Sequence, residues 1–206
     1  MPNFTIITLL LYFVNDLYCL TAMKLIVGLG NPEERYRATR HNTGFMIVEH
    51  YVGEKSGLFQ HKDKFKADIA EFSVNGEKVI VAKPTTYYNL SGEAVRAISD
   101  FYKIAPEDIL VVHDELALPF GTLRTRYGGS DAGNNGIKSV NEHLGPTTAR
   151  LRVGVYNDLR DRIDDADFVL SKFTAEEADH FSELYKKSAH IIDSFVAGTF
   201  DSTTHK

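Results

Sequence analysis

The chain has 206 residues, enough for one domain with a sizeable core, and its apolar and charged fractions are those of an ordinary globular protein. A formal net charge of −5 removes any global electrostatic case for nucleic-acid binding, so an RNA contact has to come from a local basic patch. The single cysteine, Cys19, excludes an intrachain disulfide and fits a reducing compartment.

Met1 to Ala22 differs from the rest, with one charged side chain, Asp16, and no Lys or Arg. A signal peptide carries a basic n-region, which this segment lacks. Its apolar run, Phe4 to Val14, is shorter than the roughly 20 residues that span a bilayer. We expect an over-extended start or a dispensable extension, with a membrane anchor or export signal as the alternatives. The domain is expected over 23–200, with a tail at 201–206.

Lys24 to Leu29 reads as a buried strand feeding the tight turn Gly28-Leu29-Gly30-Asn31-Pro32. Thr43 to Leu58 places Phe45, Val48 and Val52 at helical spacing. Ala67 to Phe72 and Lys78 to Ala82 flank Asn75-Gly76, a strong hairpin signal. Ser91 is expected to cap a helix whose apolar face is Val95, Ile98, Phe101 and Tyr102. Ile109 to Val112 reads as another buried strand, and Gly121 to Tyr127 as an exposed one. The Gly-rich segment Gly128 to Gly136 precedes a helix to about Leu144, and a strand follows from Ala149 to Val155. Asn157 to Asp167 is highly charged and expected to be loop. Thr174 with Glu177 spells a capping box for a last helix. The alternation of strands and helices with one hairpin predicts a single α/β domain with a mixed, largely parallel sheet flanked by helices.

Five segments carry polar groups suited to chemistry. The first, Gly28-Leu29-Gly30-Asn31-Pro32-Glu33, lacks the third glycine of a dinucleotide fingerprint; Glu33 and Glu34 stand where a pyrophosphate would have to sit. The turn either needs only glycine's backbone freedom or aims Asn31 into a cleft beyond the strand's carboxyl end. His41, in Arg40-His41-Asn42-Thr43-Gly44, is a proton acceptor at neutral pH or simply a solvated helix-start residue. Asp114, in His113-Asp114-Glu115, either orients a histidine or caps a turn. A metal reading of His41, His113, Asp114 and Glu115 has no spaced His or Cys pair behind it.

In Pro84 to Gly92, Asn89 is a polar group beside two tyrosines that would stack on a ribose or base, or else belongs to an ordinary surface loop. From Phe120 to Arg152 there are five basic residues (Arg124, Arg126, Lys138, Arg150 and Arg152) against Asp131 and Glu142. Around a Gly-rich loop this makes a phosphate-binding face or a merely solvated one. With no Gly-x-Ser-x-Gly elbow, a hydrolase of this sequence would use water activated by a base.

Together these motifs have a resemblance. Ile26 to Pro32, then Tyr36 and Thr39-Arg40-His41-Asn42, resemble the opening of bacterial peptidyl-tRNA hydrolases. Pro84 to Gly92, Val112 to Leu116, Gly133-Asn134-Asn135-Gly136, Arg150 to Gly154 and Asp167 to Leu170 follow in the family's order, so the resemblance runs from about Met23 to Gly198. It implies a monomeric, cytoplasmic esterase that needs no metal or organic cofactor and cuts the bond between peptide and the terminal ribose of tRNA. It makes His41 the general base and Asp114 its orienting partner, and gives Asn31 the sensing of the blocked amino group. Asn89 and Asn135 would hold substrate and water, Tyr36 and Tyr87 would line the tRNA 3′-end site, and Arg126 and Arg152 would clamp phosphate of the acceptor stem.

Three features depart from the pattern. Asn134 stands where many members have His, Tyr88 where Met is common, and Val155-Tyr156-Asn157-Asp158 replaces a Gly-Ile-Gly-basic-Pro run, predicting altered loop geometry there. Two rival functions remain. An RNA-binding protein on the same scaffold would be expected to lose part of the set Asn31, His41, Asn89, Asp114 and Asn135, which is complete here. A general esterase without tRNA has no use for the basic stretch.

Overall fold

The computed structural model describes residues 23–205, so the expectation for residues 1–22 lies outside the described residues. An eight-stranded sheet is formed by β1 (Lys24–Gly28), β2 (Gln60–Lys62), β3 (Ala67–Val74), β4 (Glu77–Pro84), β5 (Ile109–Pro119), β6 (Leu123–Tyr127), β7 (Ala149–Tyr156) and β8 (Thr204–His205). Their order is β2-β3-β4-β1-β5-β7-β6-β8. The sheet is mixed, as expected, but its parallel part is confined to the centre: β1 pairs β4 and β5, and β5 pairs β7. The outer pairings, β2–β3, β3–β4, β6–β7 and β6–β8, are antiparallel; β3–β4 is a hairpin, while β6 and β7 are joined through a helix. Asn75 and Gly76, both at positive φ, make the β3–β4 turn that the Asn-Gly pair predicts.

Helices α1 (Thr43–Glu54), α2 (Ser91–Tyr102), α3 (Asn135–Leu144), α4 (Asp165–Leu170), α5 (Ala175–Asp179) and α6 (Phe181–Val196) complete the described fold. The β1 run Leu25 to Val27 is fully buried because both faces are covered. One core joins Ile26, Val81, Leu110 and Leu151 to Val48 and Val52 of α1 and to Ile192 and Phe195 of α6. The other joins Leu25, Val27, Ile80 and Val111 to Val95 and Ile98 of α2 and to Ile137 and Val140 of α3.

Four local expectations are corrected. The residues expected as a tail include β8, which pairs with β6. This makes β6 an internal strand with Leu123 and Thr125 buried, not an exposed one. Ser91 does not cap α2; its hydroxyl donates to the Tyr88 carbonyl at 2.8 Å. The charged segment expected as loop turns helical at Asp165, where α4 begins.

The capping box at Thr174 and Glu177 is present, but Glu177 does more than cap. Its carboxylate takes both Arg40 terminal nitrogens, at 2.9 and 2.7 Å, and a hydrogen bond from Asn157 at 2.8 Å. The Arg40 side chain is fully buried, lies over Phe168 and Phe173, and also donates to the Val155 carbonyl and the Ser171 hydroxyl. Burial pushes the Glu177 carboxyl up, but Arg40, the Thr174 N–H and Asn157 together hold it below the usual carboxylate range. A depressed folded value means stability that is present above the unfolded carboxyl range and lost as pH falls through the folded value. Arg40→Ala, which strands this carboxylate, is expected to cost about 3–5 kcal/mol in denaturant melts near neutral pH. Glu177→Gln should flatten the acid side of the stability profile, and a wild-type-like acid dependence in that variant would remove the pair from the account.

Candidate active site

The carboxyl ends of β1, β4 and the middle of β5 open on one cleft of about 600 Å³. Backbone packing brings its walls together. A Cβ on Gly28 would meet the Gly44 carbonyl at 2.5 Å, and one on Gly44 would meet the Leu29 N–H at 2.5 Å. The two glycines therefore let the end of β1 touch the start of α1, so that Asn31 and His41 share a wall. Beyond Gly28 strand β1 leaves the sheet, the last link being Leu29 N–H to the Val112 carbonyl at 2.9 Å. Asp114, two residues on, is thereby open to the cleft on that side.

Asn31 is fixed at both its backbone and its side chain. Its N–H donates to Asn42 Oδ1 and its carbonyl accepts from Asn42 Nδ2, both at 2.9 Å. Its own Oδ1 accepts the Tyr88 N–H at 2.9 Å. With the oxygen so engaged, the amide NH₂ is the end left for a ligand in the cleft.

His41 sits in a 3-10 turn, Arg40–Asn42, that Arg40 ties down through its backbone bond to Ser171 and its buried pair with Glu177. The ring Nδ1 lies 3.1 and 3.2 Å from the two Asp114 oxygens. Asp114 is buried, which alone would raise its carboxyl; the charge and hydrogen bond of His41 and the Tyr88 hydroxyl outweigh burial and hold it below the usual range. An ionised carboxylate only accepts, so in the neutral ring Nδ1 carries the proton and Nε2 the lone pair. The neighbouring His113 takes no such part. Its Nδ1–H donates to the Asp114 carbonyl at 2.7 Å, and burial holds the ring neutral, well below the usual imidazole range. Its Nε2 is buried with no partner among the described residues, and His113 is not among the residues that line the cleft.

The other expected residues divide into two groups. Tyr36, Tyr87, Asn89 and Asn135 all line the cleft with Asn31, His41 and Asp114. Asn89 and Asn135 are exposed, and Tyr87 is half-exposed with its hydroxyl on Glu33 Oε1 at 2.6 Å. Outside the cleft, Arg126 is exposed beside Gly129. Arg152 is already engaged, 2.6 Å from the Glu115 carboxylate. Arg150 belongs to the frame, since it is buried and donates to the carbonyls of Gly129 and Ser130, bracing the Gly-rich loop. The exposed positive charge of this stretch therefore rests on Arg126 and Lys138 more than on the five-residue count.

The structure also alters one reading of the tyrosines: Tyr87 faces the cleft, whereas Tyr88 is buried beneath His41, ring on ring. The loop expected to depart in geometry does form part of the wall. Arg160 pairs with Asp165 at 2.8 Å and donates to the Leu116 carbonyl, bringing α4 and its Val169 and Leu170 to the cleft. The four groups of the metal reading are otherwise occupied: Glu115 by Arg152, His113 by a carbonyl, and Asp114 and His41 by each other.

Arg40, Glu115 and Glu177 each stand in a motif that the sequence singles out, but sequence reasoning missed the Arg40–Glu177 and Arg152–Glu115 pairings that make them parts of this frame, since nothing local marks them. Among the described residues, no helix is long and apolar enough to cross a membrane.

Known proteins match the chain along nearly all of its described length. The family model described as peptidyl-tRNA hydrolase matches residues 25–206. The peptidyl-tRNA hydrolase of Ligilactobacillus salivarius is 45% identical over 175 residues, covering 84% of this chain and 93% of the relative. That of Bacillus cytotoxicus is 42% identical over 179 residues, 86% of this chain and 95% of the relative. The crystal structure of peptidyl-tRNA hydrolase from Acinetobacter baumannii superposes with a TM-score of 0.79 at 35% identity, over 86% of this chain and 90% of that one. The chain belongs to the peptidyl-tRNA hydrolase family.

Proposed function

We propose that this protein hydrolyses the ester between a peptide, or an N-blocked amino acid, and the terminal ribose of tRNA, releasing both and returning tRNA to translation. The observation that carries this reading is the His41–Asp114 pair at 3.1 Å on the cleft floor, with the Asn31 amide beside it. His41 Nε2 takes a proton from water as the water oxygen attacks the ester carbonyl. The proton then passes from His41 to the ribose oxygen as the carbon–oxygen bond breaks. Asp114 keeps the imidazole in the accepting tautomer and stabilises its charged form between these steps. Asn31 donates to the carbonyl of the first peptide bond, a group that an unblocked aminoacyl ester lacks. Asn89 and Asn135 supply amide donors to the ester and its developing oxyanion. Tyr36 and Tyr87 receive the terminal nucleotides, and Arg126 meets acceptor-stem phosphate, which Arg152 joins only by leaving Glu115. The protein acts as a monomer in the cytoplasm, with no membrane contact and without metal or organic cofactor.

Hydrolysis of N-acetylated aminoacyl-tRNA, run beside the same unblocked aminoacyl-tRNA in the presence of a chelator, tests this. Cleavage of the blocked substrate alone is expected. Binding of tRNA with no cleavage of either would replace the enzyme by an RNA-binding role on the same scaffold. Equal cleavage of a small N-acyl ester would make it a general esterase.

A further inference from the structure

We propose that Tyr88 and Asn134 form a hydrogen-bonded arm of the His41–Asp114 pair that positions the imidazole and weakens the hold of Asp114 on it, an inference that rests on His41 being the base. The two positions at which the cleft motifs depart from the family pattern are bonded to each other. Asn134 Nδ2 donates to the Tyr88 hydroxyl at 2.9 Å, and that hydroxyl donates to Asp114 Oδ1 at 2.6 Å. The Tyr88 ring lies 3.5 Å from the His41 ring, centroid to centroid, at an interplanar angle of 18°. The His41 ring is therefore held both in its plane, by Tyr88, and at its Nδ1 edge, by Asp114.

The polarity of this chain of bonds is set by its ends. A phenol has one proton, and Asp114 is an ionised carboxylate that only accepts, so the hydroxyl proton points to Asp114. The amide NH₂ of Asn134 then fills the oxygen's acceptor side. Its direction is fixed in turn, because Asn134 Oδ1 caps α3 by accepting the Ile137 N–H at 3.0 Å. The ring has been given room for this: a Cβ on Gly136 would collide with Tyr88 Cε1.

A charge-assisted bond of this length draws negative charge from Oδ1, so less is available to stabilise an imidazolium at His41. The other titratable or charged groups around the pair have their own partners or stay neutral. Glu115 pairs with Arg152, Asp165 with Arg160, Glu33 with Tyr87 and Arg35, and His113 is a buried neutral ring. Tyr36 lines the cleft beside them. Tyr88 is therefore the one ionisable side chain, besides His41, that donates a hydrogen bond to Asp114 among the described residues.

The test compares wild type, Tyr88→Phe, Asn134→Ser and the double variant by the pH profile of kcat/KM on N-acetylaminoacyl-tRNA and by NMR titration of the His41 ring. Tyr88→Phe keeps the stacked ring and removes only the oxygen. Asn134→Ser keeps a helix cap but is too short to reach Tyr88. In Tyr88→Phe the acid limb and the His41 titration should both move to higher pH by about one unit, the scale of one charged hydrogen bond. Asn134→Ser should move them the same way by less, and the double variant no further than Tyr88→Phe. An unmoved limb and ring titration in a folded Tyr88→Phe protein, or strictly additive shifts, would overturn the arm. Should wild type cleave no ester, the assigned activity fails, and the ring titration alone decides whether the arm exists.

Discussion

His41→Ala is expected to lower turnover of N-acetylaminoacyl-tRNA by about 10²–10⁴-fold, the usual worth of a general base, while tRNA affinity stays nearly unchanged. The reasoning is geometric. His41 is the histidine that lines the cleft, its Nδ1 is occupied by Asp114, and its Nε2 is left to meet water. The other candidate, His113, adjacent in sequence to Asp114, has one ring nitrogen on a carbonyl and the other buried. Truncating His41 removes a ring that covers Tyr88 on its cleft side, and water can enter the space, so the fold should lose little. Single-turnover cleavage at saturating enzyme separates the chemical step from binding. Near-full activity in the variant would place the base elsewhere.

The parts of the fold that could be read in sequence are those dictated locally. Asn75-Gly76 requires positive φ at two successive residues, which is a hairpin whatever surrounds it. Buried runs such as Leu25–Val27 announce central strands because both their faces are covered. The site motifs were legible for the same reason: each lies on a single strand end or turn, and the cleft follows once those ends share an edge. What stayed hidden is pairwise and distant. Arg40 meets Glu177 across 137 positions and Arg152 meets Glu115 across 37, and no periodicity encodes which arginine pairs and which stays in solvent. Counting charge from Phe120 to Arg152 therefore overstated the free basic face, since Arg150 braces a loop and Arg152 has a carboxylate. Adjacent tyrosines could not be sorted either. Tyr88 turns inward because Gly136 leaves room for its ring and because Asn134 and Asp114 satisfy its hydroxyl, three residues that lie in other segments.

Asp114→Asn should cost more than its small change in shape suggests, about 10⁴-fold in kcat, the loss that the same substitution causes in a serine-protease triad. Here the mechanism of the loss is written in the surroundings of the carboxylate. The Tyr88 hydroxyl donates to Oδ1 at 2.6 Å, so an amide at this position keeps its oxygen there and turns its NH₂ toward His41. The NH₂ then donates to Nδ1, and the imidazole is held in the tautomer with Nε2 protonated, unable to accept a proton from water. The residues proposed to contact substrate, Asn31, Asn89 and Asn135, lie elsewhere in the cleft, so KM should change far less than kcat. This account carries a consequence that a simple loss of charge does not. Adding Tyr88→Phe to Asp114→Asn removes the bond that locks the amide, and the side chain is free to present its oxygen to His41. The double variant should therefore be faster than Asp114→Asn alone, although each substitution by itself slows the enzyme at neutral pH. If the double variant is no faster than Asp114→Asn, the loss comes from the missing negative charge and not from the tautomer that Tyr88 imposes.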